Sequence, residues 1–408
     1  MLEVRTPESI HALVASLDDI RNKNYLTHGI HPYPAKFIPQ IPACLIEAYS
    51  SEGNVILDPF CGSGTSLLEA LIRGRESIGL DLNPIATLVA RAKIQIIDAK
   101  QHEEILTLIS AIQNTLKGRK AFFPWENIAE DEIPCFINRD HWFQKNVQRE
   151  LVWLKQQIGL QARDTVVQDF LNVCLSAIIV KVSNQESNTR WKAIQKNIKD
   201  GDTIAAYFKV LSENLHHCYE LGRIMDRRKK CKVQVFTAPV SRISEFIETR
   251  TVDLVATSPP YLNSYDYYLY HKLRMFWLGY DHKIVQSQEI GSRNKHCDNH
   301  EDLEAFILPM KEAFEQLNSV LKPNGKCVLV VGDSIYRGDL IDISIIYERI
   351  AKDSGFVLIE KASFDQRRYS KAFTPNLKQG YKQSHILVFG LKNENNKPTK
   401  VTSTRRSP

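Results

Sequence analysis

The chain has 408 residues, 43% of them hydrophobic, and a formal net charge of +6, which is material for two or three domains or for one large α/β domain carrying an insertion. The modest positive balance suits a polyanionic partner without requiring one. Eight cysteines, at positions 44, 61, 135, 174, 218, 231, 297 and 327, include no Cys-x-x-Cys pair, so neither a zinc knuckle nor a disulfide framework is expected and the thiols read as reduced and mostly buried.

The N-terminal stretch MLEVRTPESIHALVASLDDI carries acidic residues where a secretory leader needs a basic segment and a continuous apolar one, and no later run is read as able to span a bilayer. A soluble, cytoplasmic protein without a membrane partner is expected. Positions 55–57 are a short apolar strand stopping at Asp58, and a glycine-rich turn leads into the helical pattern SLLEALIRG, closed by Gly74. A second strand, 77–80, ends at Asp81, and Asn83-Pro84 caps and opens another helix. From 97 to 230 long amphipathic stretches such as HEEILTLISAIQNTL, VQDFLNVCLSAIIVKV and DTIAAYFKVLSENLHHCYEL predict helices with no strands between them. Alternation then resumes: strand 232–236, helix 241–247, strand 252–256, helix 303–321, the turn KPNG, strand 327–331, helix 340–351, and strands 357–360 and 385–391. The last two strands have no clear helix between them, which predicts an antiparallel pair. The organisation expected is therefore an α/β core in two parts, 1–96 and 231–391, around a mainly helical insertion, 97–230, with a disordered polar tail, 392–408.

Two segments carry chemistry. In LDPFCGSGTSLLEA, 57–70, Gly62 and Gly64 allow a sharp turn and close approach to a ligand, and the following helix offers unpaired amides and a positive dipole end. Asp81, at the end of the second strand, is placed to accept hydrogen bonds from ribose hydroxyls. A dinucleotide turn would need glycine where Leu67 stands, a P-loop would need Gly-Lys-Ser/Thr, and Asp58 would repel a pyrophosphate. An ammonium near Asp58 and a carboxylate on the turn fit better, which describes the methionine end of S-adenosylmethionine. The second segment is VATSPPYLNSYDYY, 255–268. Prolines fix φ and donate no hydrogen bond, so Ser258-Pro259-Pro260-Tyr261 offers carbonyls and a hydroxyl to an exocyclic amino group and a ring to stack on the base. Such a pocket suits a base that has left its stack.

Together these residues resemble the amino-methylating DNA methyltransferases: Asp58 to Thr65 (DPFCGSGT) looks like their cofactor motif, and Thr257 to Tyr261 (TSPPY) like the catalytic motif most typical of the N4-cytosine branch. The resemblance covers about 26–94 and 232–391. It implies a seven-stranded, Rossmann-like methyltransferase sheet with an antiparallel last strand. It also implies S-adenosylmethionine as cofactor without a metal, double-stranded DNA as partner, and a place beside a cognate endonuclease in restriction-modification or phage defence. By similarity Ser258, Pro259, Pro260 and Tyr261 are catalytic, and Asp58, Phe60, Gly62, Ser63, Gly64, Thr65, Asp81, Asn83 and Phe37 contact the cofactor. The segment HGIHPYPAKF, 28–37, would precede the first strand and lie against it. N6-adenine DNA methylation and RNA base N-methylation are the alternative activities. The insertion is the candidate target-recognition region. Within it VSNQESNTRW, 182–191, either reads base edges through Asn184, Gln185, Asn188 and Arg190 or packs back on the catalytic face. DRRKK, 226–230, and QRRYSKAFTPNLKQGYKQ, 366–383, are further candidates for DNA contact, whereas Cys135 and His216-His217-Cys218 are not expected to carry a nucleophile or a metal.

Overall fold

The computed structural model describes residues 10–16, 23–117, 123–226, 231–263, 265–292, 302–365 and 381–392. Its centre is a seven-stranded sheet. In chain order the strands are β1 (Val55–Asp58), β2 (Glu76–Asp81), β3 (Val233–Thr237), β4 (Val252–Thr257), β5 (Leu321–Gly332), β6 (Phe356–Asp365) and β7 (Gln383–Leu391). In space they run β6-β7-β5-β4-β1-β2-β3. The first five are mutually parallel, and β7 is antiparallel to β6, as expected from sequence, and also to β5.

Helices cover both faces, so the central strands read as continuous apolar runs. On one face Ile56, Leu254, Ala256, Val328 and Val330 pack with Ile41 and Leu45 from the helix Gln40–Tyr49. On the other, Leu57, Val255, Leu329 and Val331 meet Phe306, Met310 and Phe314 from the helix Glu304–Val320 and Tyr347 from the helix Ile343–Asp353. The sheet grows from β1 through β2 to β3 in one direction and from β4 to β5 in the other. The carboxyl ends of β1 and β4 therefore flank the point where the winding reverses, where crevices form in open α/β sheets.

A second core gathers the helices Ala99–Lys117, Lys145–Gln161, Thr165–Val182 and Asp202–Met225 around Trp125, Trp153, Phe170 and Tyr207. Trp277 and Leu273, from the helix Tyr267–Leu278 that follows the TSPPY segment, belong to the same core.

Four expectations need correction. The helical stretch contains an antiparallel hairpin, Gln185–Ser187 with Arg190–Ala193; its strands are three and four residues long, too short for period-two alternation to stand out from the helical patterns around it. Residues Val240–Glu245 form a 3-10 turn with a non-helical Arg242 instead of an α-helix. KPNG is not a free turn but lies inside β5, between the register pairs Val252↔Leu321 and Leu254↔Lys326, so the strand accommodates it as an irregularity. The helix Thr165–Val182 is, by length and composition alone, apolar enough to cross a membrane. It is apolar on most sides because it sits inside the helical core, with Phe170, Leu171, Cys174, Leu175, Ile178 and Ile179 all buried.

Candidate active site

β1 delivers Asp58 to the reversal point, where it is 2% exposed. Its Oδ1 accepts a 2.6 Å hydrogen bond from the Thr257 hydroxyl and a 3.3 Å bond from the Phe60 amide. Thr257 is the last residue of β4, so the ends of two adjacent parallel strands are tied together side chain to side chain. The turn that follows β1 needs glycine: Gly62 has φ +48° and donates its amide to Asp81 Oδ2 at 2.9 Å. The other Asp81 oxygen accepts the Asn83 amide at 2.8 Å, and the Asn83 side chain caps the helix Pro84–Ile94 through Ile85 at 2.9 Å. Asp81 thus fixes the glycine turn as well as facing the crevice.

A cavity of about 600 Å³ opens here. Asp58, Phe60, Gly62, Ser63, Thr65, Asp81, Asn83 and Phe37 line it, together with Ser258, Pro259, Pro260 and Tyr261. Of the site residues expected from sequence, Gly64 alone is not on its wall. Gly64 has φ +75°, and a Cβ there would lie 2.8 Å from the Ala90 Cβ of the helix Pro84–Ile94, so this glycine serves helix packing. Gly64→Ala combines left-handed strain with overlap, and it is expected to lower folding stability by about 2 to 4 kcal/mol. Urea unfolding measures this; a change below about 0.5 kcal/mol, the range of surface substitutions, would mean that the two helices separate freely.

The TSPPY segment is braced from beneath. Tyr347 donates its hydroxyl to the Pro260 carbonyl at 2.9 Å, and Asn263 Nδ2 donates to Ile335 O at 2.7 Å. Tyr261 Oη lies 3.1 Å from Ser258 Oγ and donates to the Val330 carbonyl at 3.3 Å. Pro259 lines the cavity, and among the described residues its carbonyl has no hydrogen-bond partner.

Several groups were not foreseen. Tyr33 stacks on His271 (ring centroids 4.7 Å apart) and on Tyr267 (6.1 Å), forming an aromatic wall with Tyr265. Glu289 lines the same cavity and accepts the Tyr267 amide at 2.9 Å. Neither Tyr33 nor Glu289 has a sequence signal, because long-range packing places them. The segment 28–37 is pinned by buried polar groups: His28 Nε2 lies 2.6 Å from Glu69 Oε1, Tyr25 donates to the same oxygen at 2.5 Å, and Arg73 pairs with the other. The segment thus lies across the helix Thr65–Ile72, and Phe37 packs against the core that contains Ile56 of β1.

Burial pushes both Asp58 and Asp81 up to about 6, against hydrogen bonds that hold each partly down. Burial, with the neighbouring Asp266 and Asp81 carboxyls adding to it, pushes Glu289 up to about 8. Lys93 is fully buried beneath the turn, donates to Ser63 Oγ at 3.1 Å, and is held well below the usual lysine range by burial. Among the described residues Asp58 and Asp81 have hydrogen-bond donors but no ion-pair partner, which favours a ligand bringing its own positive charge.

The structure shows the packing alternative for the amides of 182–191. Asn188 Oδ1 accepts from the buried Arg274, Asn184 Nδ2 donates to His141 O at 2.9 Å, and Gln185 Nε2 donates to Ser187 O at 2.7 Å. Arg190 is the exception, with a side chain 71% exposed beside Glu186. Cys135 is exposed and is not on the cavity wall, Cys218 is buried, and His216 pairs with Glu220 at 3.7 Å. Asp333, Asp342 and His385 cluster instead; their atoms are engaged within the protein, His385 with Asp333 at 2.9 Å and Ser363 at 2.8 Å, and Asp342 capping Ser344 at 3.0 Å. Residues 227–230, 366–380 and 393–408 lie outside the described residues, and with them most of DRRKK, of the basic-aromatic segment and of the polar tail.

Residues 13–90 match a family model, N6/N4 methylase, described as DNA methylase. The chain is 28% identical over 257 residues to the Type II methyltransferase M.MvaI of Kocuria varians, an alignment covering 60% of this chain and 55% of that one. It therefore spans about half the length of that relative. M.BsoBI of Geobacillus stearothermophilus is 25% identical over 423 residues, covering 85% of this chain and 82% of its own. M.MjaII of Methanocaldococcus jannaschii is 43% identical over 106 residues, 26% of this chain and 18% of its own. Both carry the same designation, Type II methyltransferase.

Proposed function

We propose that the chain is an amino-methylating DNA methyltransferase, and within that family a site-specific Type II enzyme that methylates the exocyclic N4 of cytosine in double-stranded DNA. The observation that carries this reading is the 2.6 Å bond between Thr257 and Asp58, which joins the DPF turn and the TSPPY segment at one cavity although they stand 199 residues apart. The base assignment and the cognate endonuclease rest on the resemblance carried by the TSPPY segment and the DPF turn, and the place in restriction-modification is supported by the Type II designation of the relatives.

The lining fits S-adenosylmethionine. Asp58 and Asp81 suit an ammonium and ribose hydroxyls, the Gly62 turn admits close backbone approach, and Asn83 Nδ2 is a buried donor with no partner among the described residues. Bound there, the cofactor supplies a methyl group activated on sulfur. The chain's own residues then have three tasks. Ser258 Oγ and the Pro259 carbonyl accept hydrogen bonds from the amino group, which raises electron density on nitrogen. Tyr261 stacks on the extruded base, and the Tyr33, Tyr265 and Tyr267 wall closes the pocket around it. Tyr347, by holding the Pro260 carbonyl, keeps the segment aligned for direct transfer, and no covalent intermediate is needed. The insertion, 97–230, is proposed to hold target recognition.

Incubation with labelled S-adenosylmethionine and unmethylated duplex DNA tests the reading: label enters DNA and not bulk RNA. Label in RNA alone would move the chain to RNA base methylation.

The raised carboxyls also set a pH dependence. Their neutral forms are favoured in the empty fold, so the stability they contribute is full below about pH 4 and lost as pH rises through about 6. Cofactor affinity runs the opposite way, because the ionised form pairs with the ammonium. It is expected to rise about tenfold from pH 5 to pH 7 for each carboxylate required. Calorimetric titration across that range measures it; a flat profile would remove Asp58 from the binding role.

A further inference from the structure

We infer that the hairpin 185–193 is the arm with which the protein grips duplex DNA beside the target base, and that Arg274 ties this arm to the wall of the base pocket. The inference rests on the DNA-methyltransferase reading above. Charge is the first support. Positions 181–199 hold five Lys or Arg and a single acidic residue, whereas the whole chain is nearly balanced at 53 against 47. The second support is the way the hairpin is built. Along Arg190–Ala193 burial alternates: Trp191 turns inward onto Trp142, with ring centroids 4.5 Å apart, while Arg190 and Lys192 turn out to solvent. The inward face anchors the arm and leaves the outward face cationic, as phosphate contact requires.

The third support is position. Asn188 occupies the hairpin's two-residue turn, between the paired Ser187 and Arg190, and its Oδ1 accepts from Arg274. Arg274 is completely buried and also donates to Ser176 O at 3.1 Å and Tyr270 O at 2.9 Å. It therefore joins the hairpin, the helix Thr165–Val182 and the helix Tyr267–Leu278. Tyr267 lies two turns back along its own helix, roughly 10 Å away at 1.5 Å per residue, and lines the cavity. His271, one turn from Arg274, stacks on Tyr33 of the same wall. A displacement of the arm is thus felt at the pocket through one buried guanidinium, which makes Arg274 a positioning residue.

The double variant Arg190→Ala, Lys192→Ala removes outward charge and leaves the anchoring face intact. Fluorescence anisotropy with unmethylated duplex DNA should show affinity at least about tenfold weaker at moderate salt and a log–log salt slope shallower by about two, while S-adenosylmethionine affinity is unchanged. Unchanged DNA affinity and slope would overturn the arm. Asn188→Ala keeps the charge and cuts the tie to Arg274. It should lower kcat severalfold with DNA affinity held within about twofold, and an unchanged kcat would overturn the coupling. A wild-type protein that binds S-adenosylmethionine but neither binds nor methylates duplex DNA would overturn the functional reading itself, whatever the hairpin variants do.

Discussion

Asp58→Asn is expected to fold as the wild type does and to bind S-adenosylmethionine about ten- to a hundredfold more weakly. The amide keeps an oxygen where Thr257 and the Phe60 amide donate, so the tie between β1 and β4 survives. It lacks the charge, and loss of one charge-assisted hydrogen bond to the ammonium costs about 1.5 to 3 kcal/mol. Stability should be little changed or raised, since burial already pushes the Asp58 carboxyl up to about 6, which means that the fold pays for its ionised form. Calorimetric titration and thermal unfolding, run together, separate the two effects. An affinity within threefold of wild type would show that Asp58 is a strand-tying residue only.

Tyr261→Ala is the second large effect, and it should fall on transfer, with cofactor binding spared. Loss of the stacking ring costs about 1 to 3 kcal/mol, or roughly five- to a hundred-and-fiftyfold in kcat/KM. Tyr261→Phe separates ring from hydroxyl. In the structure that hydroxyl lies 3.1 Å from Ser258 Oγ and donates to the Val330 carbonyl, so its removal frees the serine rotor without removing the ring. The phenylalanine variant should lose only a few-fold, in line with one neutral hydrogen bond of about 1 kcal/mol. Should it fall as far as the alanine variant, the hydroxyl's hold on Ser258 is what matters; full activity in Tyr261→Ala would refute the stacking role.

The parts legible in the sequence are those that local chemistry dictates. The strands of the sheet show as apolar runs because both faces are covered, and most are cut off by Asp, Pro or Gly at the end that faces the crevice. Asp58, Asp81 and Ser258 are recognisable as site candidates because each stands just beyond such a run. What could not be read was set by distant packing. Tyr33 reaches the cavity because His271 and Tyr267 stack on it, and Glu289 because it meets the first turn of the helix Tyr267–Leu278. The hairpin escaped notice because its strands are short, and the amides for which DNA contact and packing stood as equal alternatives are engaged by Arg274, His141 and the hairpin's own backbone. Gly64 carried the right signal for the wrong neighbour: its positive φ is real, but it is Ala90 that comes close.

The most direct test of the account is the chemical identity of the methylated base. Unmethylated genomic DNA, incubated with the purified protein and S-adenosylmethionine and then digested to nucleosides, should yield N4-methylcytosine by mass spectrometry, and its rate of formation should fall about ten- to a hundredfold with Asp58→Asn at limiting cofactor. N6-methyladenine would keep the mechanism and contradict the base assignment. Methylation at carbon 5 of cytosine, or no methylated nucleoside from DNA, would contradict the claim that the Thr257–Asp58 junction builds an amino-methylating site.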